Sequence, residues 1–281
     1  MRVFVAGATG VIGRRLVPLL LEQGHAVTAA TRQAGRPPIP GVDWVVVDVL
    51  DREAVIGAIR DARPHAVMHQ VTDLAGFDLN ANARVRIDGT RNLVDAARGA
   101  GVNRMVAQSI AFAYAPGDGP ARESDPLHRD AAAPRGRTVE GVVALEQAVR
   151  EMPEGVVLRY GALYGQGTWH APGGRVAELV RAGTFQASPG ITSFLHVDDA
   201  AHAAIAALGW PPGTVNIADN DPAPGTAWVP YLAGLLGAPP PPQTGNFQAW
   251  ERGASNARAR VELGWAPRWL DWRNGFRILF G

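Results

Sequence analysis

Gly7-Ala8-Thr9-Gly10-Val11-Ile12-Gly13 stands between a short apolar run, Arg2 to Ala6, and a stretch of helical spacing. That stretch carries Val11, Ile12, Leu16, Leu19 and Leu20 and stops at Gly24, with Pro18 inside it as a place for a kink. Three glycines at GxxGxxG spacing let a strand turn into a helix with no side chain in the way. Backbone N–H groups at the helix N-terminus can then approach a pyrophosphate. The rest of the first half keeps the same rhythm. Strand patterns at His25 to Ala30, Trp44 to Val47, Ala66 to His69, Arg104 to Ala107 and Gly155 to Arg159 alternate with helical ones at Asp51 to Ile59, about Asp78 to Gly99, and Thr138 to Arg150. Apolar strands separated by helices predict an α/β fold: a Rossmann-type, doubly wound parallel sheet covered on both faces.

After Tyr164 glycine and proline become frequent and the elements shorten. A strand is expected at Thr192 to Leu195, a helix at Val197 to Leu208, a strand at Thr214 to Ile217 and a stiff connector at Pro239 to Pro242. The predicted organisation is therefore a dinucleotide-binding domain over residues 1–165, completed by 196–219. A small C-terminal substrate lobe is built from 166–195 and 220–281.

The end of the second strand predicts which dinucleotide binds. An NAD site sets an acidic residue about 20 positions beyond the glycines to hold the ribose 2′-hydroxyl. Here that place holds Thr31, followed by Arg32 and then Arg36. No carboxylate repels a 2′-phosphate and two guanidiniums are available to bind it, so NADP is favoured over NAD.

All 27 basic residues are arginines; the sequence contains no lysine and no cysteine. This excludes disulfides, thiolate nucleophiles, Cys-based zinc sites, Schiff-base lysines and the lysine of a Walker loop. The Asp198-Asp199 pair lacks metal-site spacing and no HExxH occurs, so no metal is expected. A net charge of +1 with 19% charged residues gives no basic stripe for nucleic acid, and no apolar run approaches a membrane span. A strand pattern from Arg2 onward leaves no room for a signal peptide, so a cytoplasmic protein acting on a small molecule is the expectation.

Several motifs together resemble the extended short-chain dehydrogenase/reductases of the NAD-dependent epimerase/dehydratase family. The glycine loop, with Gly7, Thr9, Gly10, Val11, Ile12 and Gly13, is similar to the family's opening loop. Asp48-Val49 falls at its adenine contact, and His69-Gln70-Val71-Thr72 at its segment near the cofactor phosphates. Gly89-Thr90-Arg91-Asn92-Leu93 is similar to its long helix, and Leu158-Arg159-Tyr160-Gly161-Ala162-Leu163-Tyr164-Gly165 to its strand-to-substrate-loop motif, which puts Tyr160 among the cofactor contacts. Phe194 to Ala200, Val215 to Ala218 and Glu262 to Pro267 resemble later family segments. A dimer is a reasonable assembly on the same resemblance.

The resemblance breaks at the chemistry. The family uses a tyrosine four residues before a lysine as its acid/base; alignment on Glu146 puts Thr138 and Val142 at those places. Threonine makes no useful base, valine brings no charge, and no other lysine is available. The family serine falls at Ile110, with Ser109 one residue earlier; Arg86 stands where many members carry asparagine. Ala162 replaces an asparagine that sugar-nucleotide epimerases use, which argues against a sugar nucleotide. The remaining candidates for proton transfer are Tyr114, His170 and Ser109. Tyr164, His196, Asp198 as a helix cap, and the polar-loop residues Glu123 and Asp125 are read as structural or solvated. Four of the eight tryptophans lie from Trp250 onward, as core of the small lobe or as an aromatic wall. Three functions stay open: an NADP(H)-dependent oxidoreductase with a non-standard acid/base, a non-redox isomerase, lyase or cyclase on the same scaffold, and a non-catalytic NADP sensor.

Overall fold

The computed structural model describes residues 1–35, 39–74, 76 and 78–281; Arg36, one of the two expected 2′-phosphate ligands, lies outside them. The chain divides into two compact units. The first comprises Met1–Ser109, Arg129–Leu158 and Ala201–Thr214; the second comprises Ile110–His128, Arg159–Ala200 and Val215–Gly281. Residues 110–128 and 159–165, expected with the dinucleotide-binding domain, thus group with the second unit.

The first unit begins with β1 (Arg2–Ala6), α1 (Gly13–Glu22), β2 (Ala26–Thr31), β3 (Val42–Val46), α2 (Arg52–Ala62) and β4 (Ala66–His69). It continues through α3 (Leu79–Arg84), a π-helical turn (Val85–Gly89), α4 (Thr90–Gly99), β5 (Arg104–Ile110), α5 (Arg135–Val149) and β6 (Glu154–Tyr160). With β10 (Gly213–Ile217) these strands form one seven-stranded sheet in the order β10-β6-β5-β4-β1-β2-β3. The registers Val3↔Val27, Val3↔Ala66 and Ala66↔Arg104 are parallel. Val3, Phe4, Val5 and Ala6 are all buried, so β1 reads as a continuous apolar run because both of its faces are covered. Strand order reverses between β1 and β4. In such sheets the crevice at the carboxyl ends of the strands is where ligands bind.

Local signals explain the helix ends. Asp51 Oδ1 accepts from the Ala54 N–H (3.1 Å) to start α2, and Asp78 Oδ1 from Asn80 and Ala81 to start α3. Pro18 lies inside α1, which runs on through it. The helix expected as one piece from about Asp78 to Gly99 is interrupted by the π turn, which carries Arg86 inward, 3% exposed. A Cβ on Gly141 would sit 3.1 Å from Ala83 Cα, so α5 packs closely on α3 at that glycine.

The second unit holds β7 (Ala162–Tyr164), α6 (Arg175–Arg181), β8 (Ile191–Thr192) and β9 (Phe194–His196), from which α7 (Val197–Ala206) leads onward. Beyond β10 come β11 (Ala223–Pro224), α8 (Gly225–Leu235), α9 (Ala257–Val261) and α10 (Trp272–Phe280). β7 pairs with β9 in parallel, and β8 with β11 antiparallel. Tyr164, Phe194, Trp228, Trp272 and Phe276 form its aromatic core. Of the late tryptophans, Trp272 is thus core, while Trp269 stacks on His196 with ring centroids 4.2 Å apart. No helix among the described residues is long and apolar enough to cross a membrane.

Candidate dinucleotide and reaction site

The glycine loop has two structural glycines and one that leaves space. Gly7 has φ +86, and a Cβ there would meet the Gln70 carbonyl oxygen at 2.5 Å; a Cβ on Gly13 would meet the Gly7 oxygen at 2.1 Å. These two let β1, α1 and the end of β4 come together. Gly10 differs: the nearest atom to its missing Cβ is the Gly7 oxygen at 3.3 Å, and both Thr9 and Gly10 are exposed. The missing side chain at Gly10 therefore leaves an open cradle before the ten-residue helix α1, at the positive end of its dipole. A dinucleotide pyrophosphate fits that cradle. Val11 is half-buried and Ile12 is buried.

Beyond β3, Val49 is buried against the long helix: a Cβ on Gly89 would meet Val49 Cγ2 at 2.8 Å, and Asn92 Nδ2 donates to the Val49 carbonyl (2.9 Å). Asn92 thereby fixes the Val49 backbone, a role the sequence did not reveal. Asp48 is exposed and accepts from the Leu50 N–H (2.9 Å). Arg32 follows β2, is largely exposed, and pairs with Asp73 at 3.3 Å. Thr31 is buried and its Oγ1 accepts from the Gln33 N–H (3.2 Å).

At the end of β4, the His69 ring is fully buried. Nδ1 accepts from the Val71 N–H (3.3 Å), so Nε2 carries the proton and donates to Thr90 Oγ1 (2.9 Å). Burial, and then the charge of Arg86, push the His69 pKa down to about 4, and the ring is neutral. Gln70 is buried, and both its amide oxygen and nitrogen lack partners. Leaving a buried amide unpaired costs about 1–3 kcal/mol, so Gln70 is a polar group awaiting one. Thr72 is half-buried beside it in sequence.

The three residues expected to move protons are all committed elsewhere. Ser109 is buried at the end of β5 and donates to Glu146 Oε1 (2.9 Å). Tyr114 is 1% exposed; its hydroxyl donates to Asn216 Oδ1 (2.6 Å) and the Arg159 guanidinium lies 4.7 Å from its ring centroid. Burial outweighs Arg159 and raises its pKa to about 12. His170 is enclosed by Phe194, Trp228 and Phe276, and its Nδ1–H donates to the Leu163 carbonyl (2.9 Å). Burial, only partly opposed by that bond, pushes its pKa down to about 4. His170 thus packs as a neutral ring within the aromatic core of its unit. Tyr160, expected at the cofactor, is likewise buried with its hydroxyl donated to the Ala200 carbonyl (3.3 Å).

Two further groups were not anticipated. Arg86 is buried with its Nη1 unpartnered. The sequence signal was present: an arginine one residue after Val85 and three before Gly89, on a helix that otherwise turns apolar residues inward. Asp219, just after β10, is buried with Oδ2 unpartnered, and burial raises its pKa to about 8.

The sheet order, the glycine cradle and the reversal between β1 and β4 define a dinucleotide-binding α/β protein. The chain belongs to the NAD-dependent epimerase/dehydratase family, whose model matches residues 3–218. It is 47% identical over 302 aligned residues to a Streptomyces protein described as a 3-diazoavenalumate denitrifying reductase, covering 98% of this chain and 99% of that one. Among solved structures, the UDP-glucose 4-epimerase of Thermus thermophilus in complex with NAD superposes with a TM-score of 0.79 at 26% identity, over 100% of this chain and 98% of that one. The Bordetella bronchiseptica enzyme WbmG in complex with NAD gives 0.79 at 22% identity, over 99% and 92%.

Proposed function

We propose that this protein is an NADPH-dependent reductase that delivers hydride to a small organic electrophile needing no proton from the protein. One observation carries this reading. The glycine cradle is open, while the family's acid/base positions hold the wrong chemistry, at Thr138 and Val142, and the other candidates Ser109, Tyr114 and His170 are buried and hydrogen-bonded within the protein.

When bound, the reduced dinucleotide supplies a hydride. Reducing a carbonyl also consumes a proton, for which a positioned acid is needed. An arenediazonium cation has no such need: the hydride pair forms the new C–H bond, the C–N pair departs with dinitrogen, and charge balances without a proton. The reductase relative is named for a diazo-substituted carboxylate and for loss of nitrogen, which supports that substrate class here. The chain's own part is to bind, orient and shield. Gly10 leaves room for the pyrophosphate, Arg32 offers a guanidinium to a 2′-phosphate, and Gln70 offers an unpaired amide beside the glycine loop.

Isotope tracing tests the reading. The protein is incubated with 4-carboxybenzenediazonium and NADPH carrying deuterium at C4, and in parallel with unlabelled NADPH in D2O. Deuterium in the benzoate from labelled cofactor alone is expected. Deuterium taken from D2O, or no NADPH-dependent reduction, would refute it.

A further inference from the structure

We infer that Arg86 is an anion-binding residue that takes the carboxylate of the substrate. Arg86 stands in the π-helical turn between α3 and α4 and is 3% exposed. Its Nη1 is enclosed and meets no acceptor. A guanidinium offers five donors in a planar fork and stays charged, so a buried one without an acceptor is an incomplete site, best completed by a bidentate oxyanion. π turns of this kind are frequent at functional sites.

The fold also indicates which oxyanion belongs there. The groups that sense the charge of Arg86 are His69 at the end of β4 and Glu146 on α5; Glu146 is tied through Ser109 to the end of β5. Arg86 therefore serves the β4–β5 side of the sheet. The glycine cradle at the end of β1, Gln70 beside it and Arg32 just after β2 already offer the cofactor's phosphates their partners. That leaves Arg86 for an anion brought by the substrate. Glu146 supplies the counter-charge that makes an empty site tolerable. Its carboxylate already accepts from Ser109 (2.9 Å) and Arg150 (3.1 Å), so it serves Arg86 only in part. The neighbouring His69 is held neutral and does not compete for the anion. The site thus recognises a substrate carboxylate, a refinement that rests on the reductase reading for its place in a reaction but not for its test.

The test is a binding measurement that needs no turnover. NADP+-saturated protein is titrated calorimetrically with 4-hydroxycinnamate and with its uncharged methyl ester, for wild type, Arg86→Met and Arg86→Lys. NADPH affinity is measured on each by fluorescence. Wild type should prefer the acid by about tenfold or more, as loss of a charge-assisted pair predicts. Arg86→Met should bring acid and ester to parity with NADPH affinity unchanged, and Arg86→Lys should keep part of the preference. Equal binding of acid and ester by wild type, or a preference that survives Arg86→Met, would overturn the assignment. So would an Arg86→Met protein whose NADPH affinity falls while its preference stands, since the anion at Arg86 would then be a cofactor phosphate. If Arg86→Met does not fold, the comparison of wild type with Arg86→Lys decides between the same outcomes.

Discussion

Asp219 gives stability a steep pH dependence above about pH 4, and replacing it with asparagine measures the effect. Its carboxyl is 2% exposed; Oδ1 accepts from the Asp221 N–H (3.2 Å) and Oδ2 has no partner. Burial, followed by the charges of Asp221, Asp271 and Asp199, raises its pKa from 3.8 to about 8, against the Asp221 bond that pulls it down. Arg273 does not relieve this, because it pairs with Asp221. The folded protein therefore holds a proton that the unfolded chain releases near pH 4. The sign follows from linkage: this contribution to stability is fully present below about pH 4 and is lost as pH rises toward 8. At about 1.4 kcal/mol for each pH unit, the whole window is worth on the order of 5 kcal/mol. The amide in Asp219→Asn would keep an acceptor for the Asp221 N–H and remove the titration. In thermal unfolding followed by circular dichroism, Asp219→Asn should match wild type at about pH 4. It should exceed wild type increasingly as pH rises to about 8, by on the order of ten degrees, and by a constant margin above that. Melting temperatures that run parallel from pH 5 to pH 9 would refute the argument, because they would show that Asp219 ionises in the folded protein as easily as in the unfolded one.

Arg32→Ala should weaken NADPH by about tenfold or more relative to NADH, the worth of one charge-assisted contact to a phosphate, read by fluorescence titration of both cofactors; equal loss for both would remove the 2′-phosphate role. Tyr114→Phe should leave the turnover rate within about threefold while lowering stability by about 1–3 kcal/mol, because Asn216 loses a buried donor. A rate that collapses without loss of stability would return Tyr114 to the chemistry.

The sheet was legible because its signals are local. Arg2–Ala6 and Ala66–His69 are apolar runs bounded by turns, and the structure bounds both strands as the sequence predicts. The π turn at Val85–Gly89 was not legible: the spacing from Asp78 to Gly99 fits one continuous helix, and the extra residue per turn is imposed by how Arg86 and Gly89 pack. α8 and α10 also escaped notice, α8 because its Pro230 and glycines obscure the helical period.

The sequence by itself determined where the glycine turn forms and which side-chain chemistry the protein lacks. Glycine spacing is a steric fact, so Gly7, Gly10 and Gly13 define the cradle before anything packs around it. The absence of lysine is a covalent fact that no folding can reverse. Tertiary structure alone decided which polar groups keep their reactivity. Histidine, tyrosine and serine look equally capable when written in a line. Folding encloses His170 in aromatic rings, ties Tyr114 to Asn216, turns Ser109 onto Glu146, and leaves Arg86 without an acceptor at Nη1. Burial and partnering come from residues as distant as Tyr114 and Asn216, and the free energy of a charge or a proton depends on those surroundings more than on the side chain that carries it.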